Sequence, residues 1–271
     1  MEFKSSVIDV EVNDHIATVW LNRPEKLNAV DMPMWQDLPA AMQAAVADVT
    51  VRAVVVAGRG KSFCVGIDLS TMGGMGVDLS TAEGCIKQQV TTKICQQAIT
   101  SVADCPVPVI AAIHSHCLGA GVDLATACDI RLASDDATFG VRETKIGIVA
   151  DVGTLQRLPS IVGAGHVAEL AYTGKDISAE RAREIGLVNH TYADQEAVLS
   201  AAYSMAQGIA DNAPLAVRGT KLMLQKGKDL TTDQSLLLNG LLTMATTLNS
   251  NDLNEAMQAF MQKRPASFTG T

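Results

Sequence analysis

The sequence predicts an α/β fold in which a strand-strand-helix unit is wound several times and the last quarter is all helical. Three observations carry this. Short β-branched or alternating runs stand ahead of amphipathic stretches. The cadence 16–47, 54–102 and 109–126 repeats with a period of roughly 50 residues. Past Leu187 no strand pattern remains. The chain therefore divides into a β-β-α core, 1–193, and a helical region, 194–271, of the kind that serves as an arm or oligomerisation module.

Residues 7–12 and 16–21 alternate apolar and polar about Asn13-Asp14, predicting a β-hairpin. Asp31 suits the N-cap of a helix running to about Ala47, with Pro33 in its first turn, where a missing N–H costs little. Residues 52–57 (R-A-V-V-V-A) read as a buried strand ended by Gly58-Arg59-Gly60. The 70–76 stretch, with three glycines and two methionines, reads as a mobile cover. A helix over 82–102 is stopped by Pro106 and Pro108, 109–113 is a buried strand, Gly119-Ala120-Gly121 opens a short helix, and 129–133 is another strand. Helices follow at about 194–211, 214–227, 231–248 and 251–262.

Composition narrows the function. Asp plus Glu total 29 against 21 Lys plus Arg, and the net charge of -8 argues against a nucleic-acid surface. No apolar run approaches the roughly 20 residues that span a bilayer. The six cysteines form no C-x-x-C pair and read as reduced, mostly buried thiols.

Three motifs invite readings their spacing does not support. Gly58-Arg59-Gly60-Lys61-Ser62 ends like a phosphate loop, but the position requiring the first glycine is Val55. Gly119-Ala120-Gly121 begins like a dinucleotide fingerprint whose sixth position is Leu124. His114-Ser115-His116-Cys117 offers metal-ligand chemistry, but no further residues complete an open tetrahedral shell, so hydrogen-bonded structural histidines and no metal are expected.

Two glycine-containing turns, 62–68 and 116–123, each follow a buried strand, and the second feeds a helix N-terminus. Main-chain N–H groups converging from such turns can hold an oxyanion. Three acids, Asp123, Glu143 and Asp151, crowd a stretch otherwise poor in charge. Asp151 sits in an apolar, glycine-bounded segment where a carboxylate needs a partner or a task, though an N-cap for a helix over 152–158 is equally consistent. Three neighbouring acids cannot all ionise cheaply, so at least one pKa should be raised.

Leu21-Asn22-Arg23-Pro24-Glu25-Lys26-Leu27-Asn28-Ala29, Phe63-Cys64-Val65-Gly66-Ile67-Asp68-Leu69, Leu118-Gly119-Ala120-Gly121-Val122-Asp123-Leu124, Gln156-Arg157-Leu158-Pro159 and Ala259-Phe260-Met261-Gln262-Lys263-Arg264 together resemble the crotonase (enoyl-CoA hydratase/isomerase) superfamily, over about Ile16 to Phe268. The resemblance implies a spiral of β-β-α turns, a C-terminal trimerisation region and an acyl-CoA thioester substrate bound by the 1–193 core. It further implies a homotrimer or homohexamer, and Val65 and Ala120 as the oxyanion amides. Within the superfamily, Asp123, Glu143 and Ala150-Asp151-Val152-Gly153-Thr154 look like the Δ3,5-Δ2,4-dienoyl-CoA isomerases, where the Glu and the later Asp form the proton-transfer pair. Simple hydratases carry two glutamates at the positions of Asp123 and Glu143, and a P-G-A-G-G run in place of 150–154.

The implied reaction is a proton shift along a 3,5-dienoyl-CoA, with Glu143 as base at the α-carbon, protonated Asp151 as donor at the far end, and Asp123 tuning its neighbours or organising the turn. CoA is part of the substrate and no further cofactor is expected. Arg23, Lys26, Lys263 and Arg264 are the implied phosphate contacts, with Phe260 and Lys263 reaching over from a neighbouring subunit, and the 72–75 methionines would line the acyl end. Rival readings are an enoyl-CoA hydratase and a non-catalytic CoA- or RNA-binding relative. The C-terminus Phe268-Thr269-Gly270-Thr271 lacks an S-K-L address, so a cytoplasmic location is expected.

Overall fold

The computed structural model describes residues 3–72 and 77–271. In chain order the elements are β1 (Ile8–Asn13), β2 (Ile16–Leu21), α1 (Met32–Ala45), β3 (Ala53–Gly58), α2 (Leu69–Met72), α3 (Ala82–Ala103), β4 (Val109–Ile113), β5 (His116–Leu118), α4 (Ala120–Ala127), β6 (Ile130–Ser134), β7 (Thr138–Gly140), α5 (Thr154–Arg157), α6 (Ala164–Thr173), β8 (Ile177–Ser178), α7 (Ala179–Glu184), β9 (His190–Tyr192), α8 (Gln195–Ala210), α9 (Pro214–Lys226), α10 (Thr232–Thr246) and α11 (Asn251–Gln262).

The hairpin β1–β2 turns at Asp14, whose φ of 51 is the left-handed conformation that Asp tolerates in tight turns. From β2 onward the six-stranded sheet is parallel, in the order β1-β2-β3-β4-β6-β9. Its inner strands β2, β3 and β4 are buried on both faces, as continuous Val/Ala/Ile runs require. Side-chain alternation divides the sheet: Val19, Val54, Val56 and Ala111 face the main core with α1 and α3, while Trp20, Val55, Ala57 and Ala112 face α8. A small second sheet, β5-β7-β8, is extended by the isolated bridges Val30 to Ile67 and Cys64 to Cys117. The predicted cadence is thus present, with single bridges standing for some second strands.

The structure corrects several expectations. Strands do not stop at Leu187: β9 pairs with β6 at the sheet edge, and at three residues it is too short to show a period. Helix α8 packs Val198, Ala202 and Ala206 onto the sheet, so a division at residue 194 cuts through a packed face. The sequence 150–158 does not begin a helix at Asp151; α5 starts at Thr154. Of the 70–76 cover, Leu69–Met72 is a short helix; 73–76 and the Met72 side chain lie outside the described residues, and with them the acyl-lining methionines.

Candidate active site

The turn after β3 and the turn after β5 lie side by side because main-chain bonds lace them together. Phe63 N–H donates to His114 O at 3.0 Å, Cys64 N–H to His116 O at 2.9 Å and Leu118 N–H to Cys64 O at 3.0 Å. Gly66 is obligatory here, with φ 104 and a would-be Cβ 3.1 Å from Leu118 O. The histidines between the turns are structural: His114 Nε2 bonds Gly60 O at 3.1 Å and His116 Nδ1 bonds Thr138 Oγ1 at 2.9 Å. Arg59, in the phosphate-loop look-alike, lies over the Trp20 ring at 4.0 Å and pairs with Glu11.

Ala120 is the first residue of α4, so its N–H has no partner within the helix and lies at the positive end of the helix dipole. Val65 N–H donates a long bond, 3.3 Å, to Leu27 O. At that length the bond is weak, and a thioester oxygen in the cavity would compete with Leu27 for the hydrogen.

These amides open into a cavity of about 280 Å³ that also receives Asp123, Glu143 and Asp151. Its apolar wall comes from Trp35, Ile67, Leu69, Ile146, Ile148 and Val152. All five residues expected to carry the chemistry therefore meet in one space, from four separate segments of the chain.

The three carboxyls sit in different environments. Glu143 starts a 3-10 turn, Glu143–Ile146, and its Oε1 lies 3.3 Å from where a Cβ on Gly119 would stand, which puts it beside the Ala120 amide. Glu143 Oε2 is buried and meets no donor among the described residues. Burial pushes Glu143 up to about 7; the main-chain amides of Glu143 and Arg142 oppose that rise, and the charges of Asp123 and Asp151 add to it. Asp123 is 2% exposed and accepts from Thr154 N–H at 2.6 Å and Thr154 Oγ1 at 2.7 Å, both on Oδ1. Burial raises its pKa against the lowering effect of those bonds. Asp123 thus performs the service at the start of α5 that the sequence offered to Asp151. Asp151, expected in an apolar setting, is exposed at the cavity in this chain, because 144–149 before it is exposed. The burial that raises a pKa falls on Glu143 and Asp123.

The implied CoA contacts do not all lie where a phosphate could reach them. Arg23 is held inside the fold, with Nε 3.2 Å from Asp31 and Nη2 3.1 Å from Asp68, and its Nη1 donates to Ala29 O. It ties the α1 N-terminus to the first oxyanion turn and has no outward-facing guanidinium. Arg264 makes a two-pronged pair with Glu255, whose carboxyl it holds down at about 2. Lys26 is exposed, Phe260 is 85% exposed on α11, and Lys263 caps that helix in a left-handed conformation; none of the three lines the cavity of its own chain.

The enoyl-CoA hydratase/isomerase family profile matches residues 11–271. The chain belongs to the enoyl-CoA hydratase/isomerase family. Among curated relatives it is 40% identical over 252 residues to the peroxisomal Delta(3,5)-Delta(2,4)-dienoyl-CoA isomerase of Arabidopsis thaliana, covering 92% of this chain and 90% of that protein. To the mitochondrial Delta(3,5)-Delta(2,4)-dienoyl-CoA isomerase of Dictyostelium discoideum it is 39% identical, covering 96% and 90%. Among solved structures, the enoyl-CoA hydratase of Bacillus anthracis aligns with a TM-score of 0.90 at 31% identity, over 98% of this chain and 100% of that one.

Family membership accounts for the laced turns and the amides. Relatives named for isomerisation and a solved structure named for hydration both align over nearly the whole of this frame. Trp35, Arg142, Lys145, Ile146 and Ile148 also line the cavity and were not picked out from sequence. Trp35 is one of several apolar residues in α1, and nothing in the pattern selects the one that faces the site. Ile146 and Ile148 flank Gly147 just after Glu143, and their standing as apolar neighbours of an acid is the signal that would have selected them.

Proposed function

We propose that this protein moves the double bonds of a 3,5-dienoyl-CoA thioester to the 2,4 position by proton transfer through two carboxyl groups. The observation that supports this most is that Glu143 and Asp151 line one cavity with the Val65 and Ala120 amides, while Asp123 turns Oδ1 onto Thr154. Glu143 lies beside the amide that would hold the thioester oxygen, so it is the acid at the α-carbon. A carboxyl with a pKa near 7 is an effective base at neutral pH. Asp151 serves the far end of the conjugated chain, so that the pair carries one proton between them across the cycle. In the intermediate dienolate, negative charge collects on the thioester oxygen, where the two N–H groups stabilise it. No cofactor beyond the CoA of the substrate takes part.

Hydration is the second reading, because the similar solved structures include proteins named enoyl-CoA hydratase. It asks two carboxylates to share a water, and the bonds from Thr154 to Asp123 Oδ1 compete with that use. Crotonyl-CoA and a 3,5-dienoyl-CoA assayed side by side decide between them: isomerisation should exceed hydration by at least about 100-fold in kcat/KM, and comparable rates would overturn the proposal.

We further propose a homotrimer or homohexamer in which Phe260 and Lys263 reach a neighbour's site. Leu236, Leu237 and Leu241 on α10 and Met257, Phe260 and Met261 on α11 are exposed in the single chain, which supports burial of these helices against a second copy. Light scattering that finds a monomer would exclude it. The proposed location is the cytoplasm. All six cysteines are free, which fits a reducing compartment, and no helix among the described residues is long and apolar enough to cross a membrane. Co-fractionation with an organelle, as the peroxisomal and mitochondrial names of the relatives would suggest, is the contrary result.

A further inference from the structure

Asp151 raises a question of placement. An exposed carboxylate on irregular chain has no packing to fix it, yet a proton donor must stay within hydrogen-bond reach of one carbon. Its position has to come from the main chain. On the C-terminal side two features hold the turn. Gly153 has φ 140 and lies against the guanidinium of Arg157, which a Cβ would strike at 1.8 Å, and Thr154 is bonded to Asp123. Both fix residues after Asp151.

At Asp151 itself, the anchor comes from a different element. Gln96 Nε2, on α3, donates to Asp151 O at 2.8 Å. The charge of Asp151 is also felt at the neighbouring Cys95, whose thiol burial pushes up to about 11, with Asp151 adding to that rise. Helix α3 packs against α1 and α4, so it is a rigid support fixed to the element that carries Ala120.

We infer that Gln96 is a positioning residue for the proton transfer, holding the main chain of Asp151 so that its carboxyl meets the far end of the acyl chain. The inference rests on the reading of Asp151 as the far-end acid. Gln96 is exposed, so its bond contributes little to stability, and loss of the amide should alter catalysis without unfolding the protein.

The test is Gln96→Met, which keeps the length of the side chain and removes its donor, with Gln96→Glu as a second variant that sets an acceptor against the carbonyl. For both, kcat on a 3,5-dienoyl-CoA should fall about 10- to 100-fold, the cost of a small misplacement of a reacting group. KM, the melting temperature and Glu143-dependent exchange of the α-proton in deuterated water should stay near wild type. Isomerisation near the wild-type rate, or exchange that falls in step with isomerisation, would overturn the inference. Asp151→Asn, run in parallel, separates the two claims. If it keeps isomerising, the reading of Asp151 fails and the role of Gln96 with it. If it stops while Gln96→Met does not, only the positioning role fails.

Discussion

Glu143→Gln is expected to abolish isomerisation and to make the protein more stable at the same time. The catalytic loss follows from removing the base beside the Ala120 amide, worth about 10²–10⁴-fold for a positioned general base. All chemistry that begins at the α-carbon should stop, so exchange of the α-proton with deuterated water should vanish too. The gain in stability follows from burial. Glu143 rises from an ordinary value of 4.5 to about 7, so between those values the folded protein binds a proton that the unfolded chain has released. Wild-type stability therefore declines as pH climbs through that window, and above it the buried charge is a full burden. The Gln variant lacks the decline and should be more stable above pH 7 by on the order of 1–2 kcal/mol. Wild-type kcat/KM should rise with pH through about 7, as the base loses its proton. Denaturation at pH 5 and pH 8 checks the sign: equal destabilisation by Gln at both would contradict the account.

Asp151→Asn is the second large effect and has a different signature. Isomerisation should drop by about 10²–10⁴-fold, because no group can deliver the proton at the far end. Glu143 and both amides remain, so α-proton exchange should continue near the wild-type rate. Since Asp151 is exposed and makes its bond to Gln96 through the main chain, the fold should not change. If isomerisation and exchange were lost together, the division of labour between the acids would be wrong.

The parts of the fold that were legible are those with local causes. Asp31 accepts from Met34 N–H and starts α1 where the cap and Pro33 indicated. The run 109–113 is a strand because five apolar residues end at a polar turn and are buried on both faces. Strands β5, β7 and β8 span three, three and two residues, too short for any period, and exist because neighbouring turns pair with them. The site was legible for a related reason: acids in a charge-poor stretch and glycines after buried strands are conspicuous in one dimension. What stayed hidden is long-range. Arg23 reads as a surface cation until Asp31 and Asp68 close around it, and the bond from Thr154 to Asp123 joins residues on different elements. Whether Asp151 or Glu143 is the desolvated acid depends on which segment is covered, and no composition reports that.

The most direct measurement is a crystal structure of the protein with a 2,4-dienoyl-CoA bound. The thioester oxygen should lie about 2.7–3.2 Å from both Val65 N and Ala120 N, with Val65 released from Leu27, Glu143 at the α-carbon and Asp151 at the far end of the conjugated chain. An acyl chain that runs away from Asp151, or a thioester oxygen that leaves the two amides unbonded, would contradict the account.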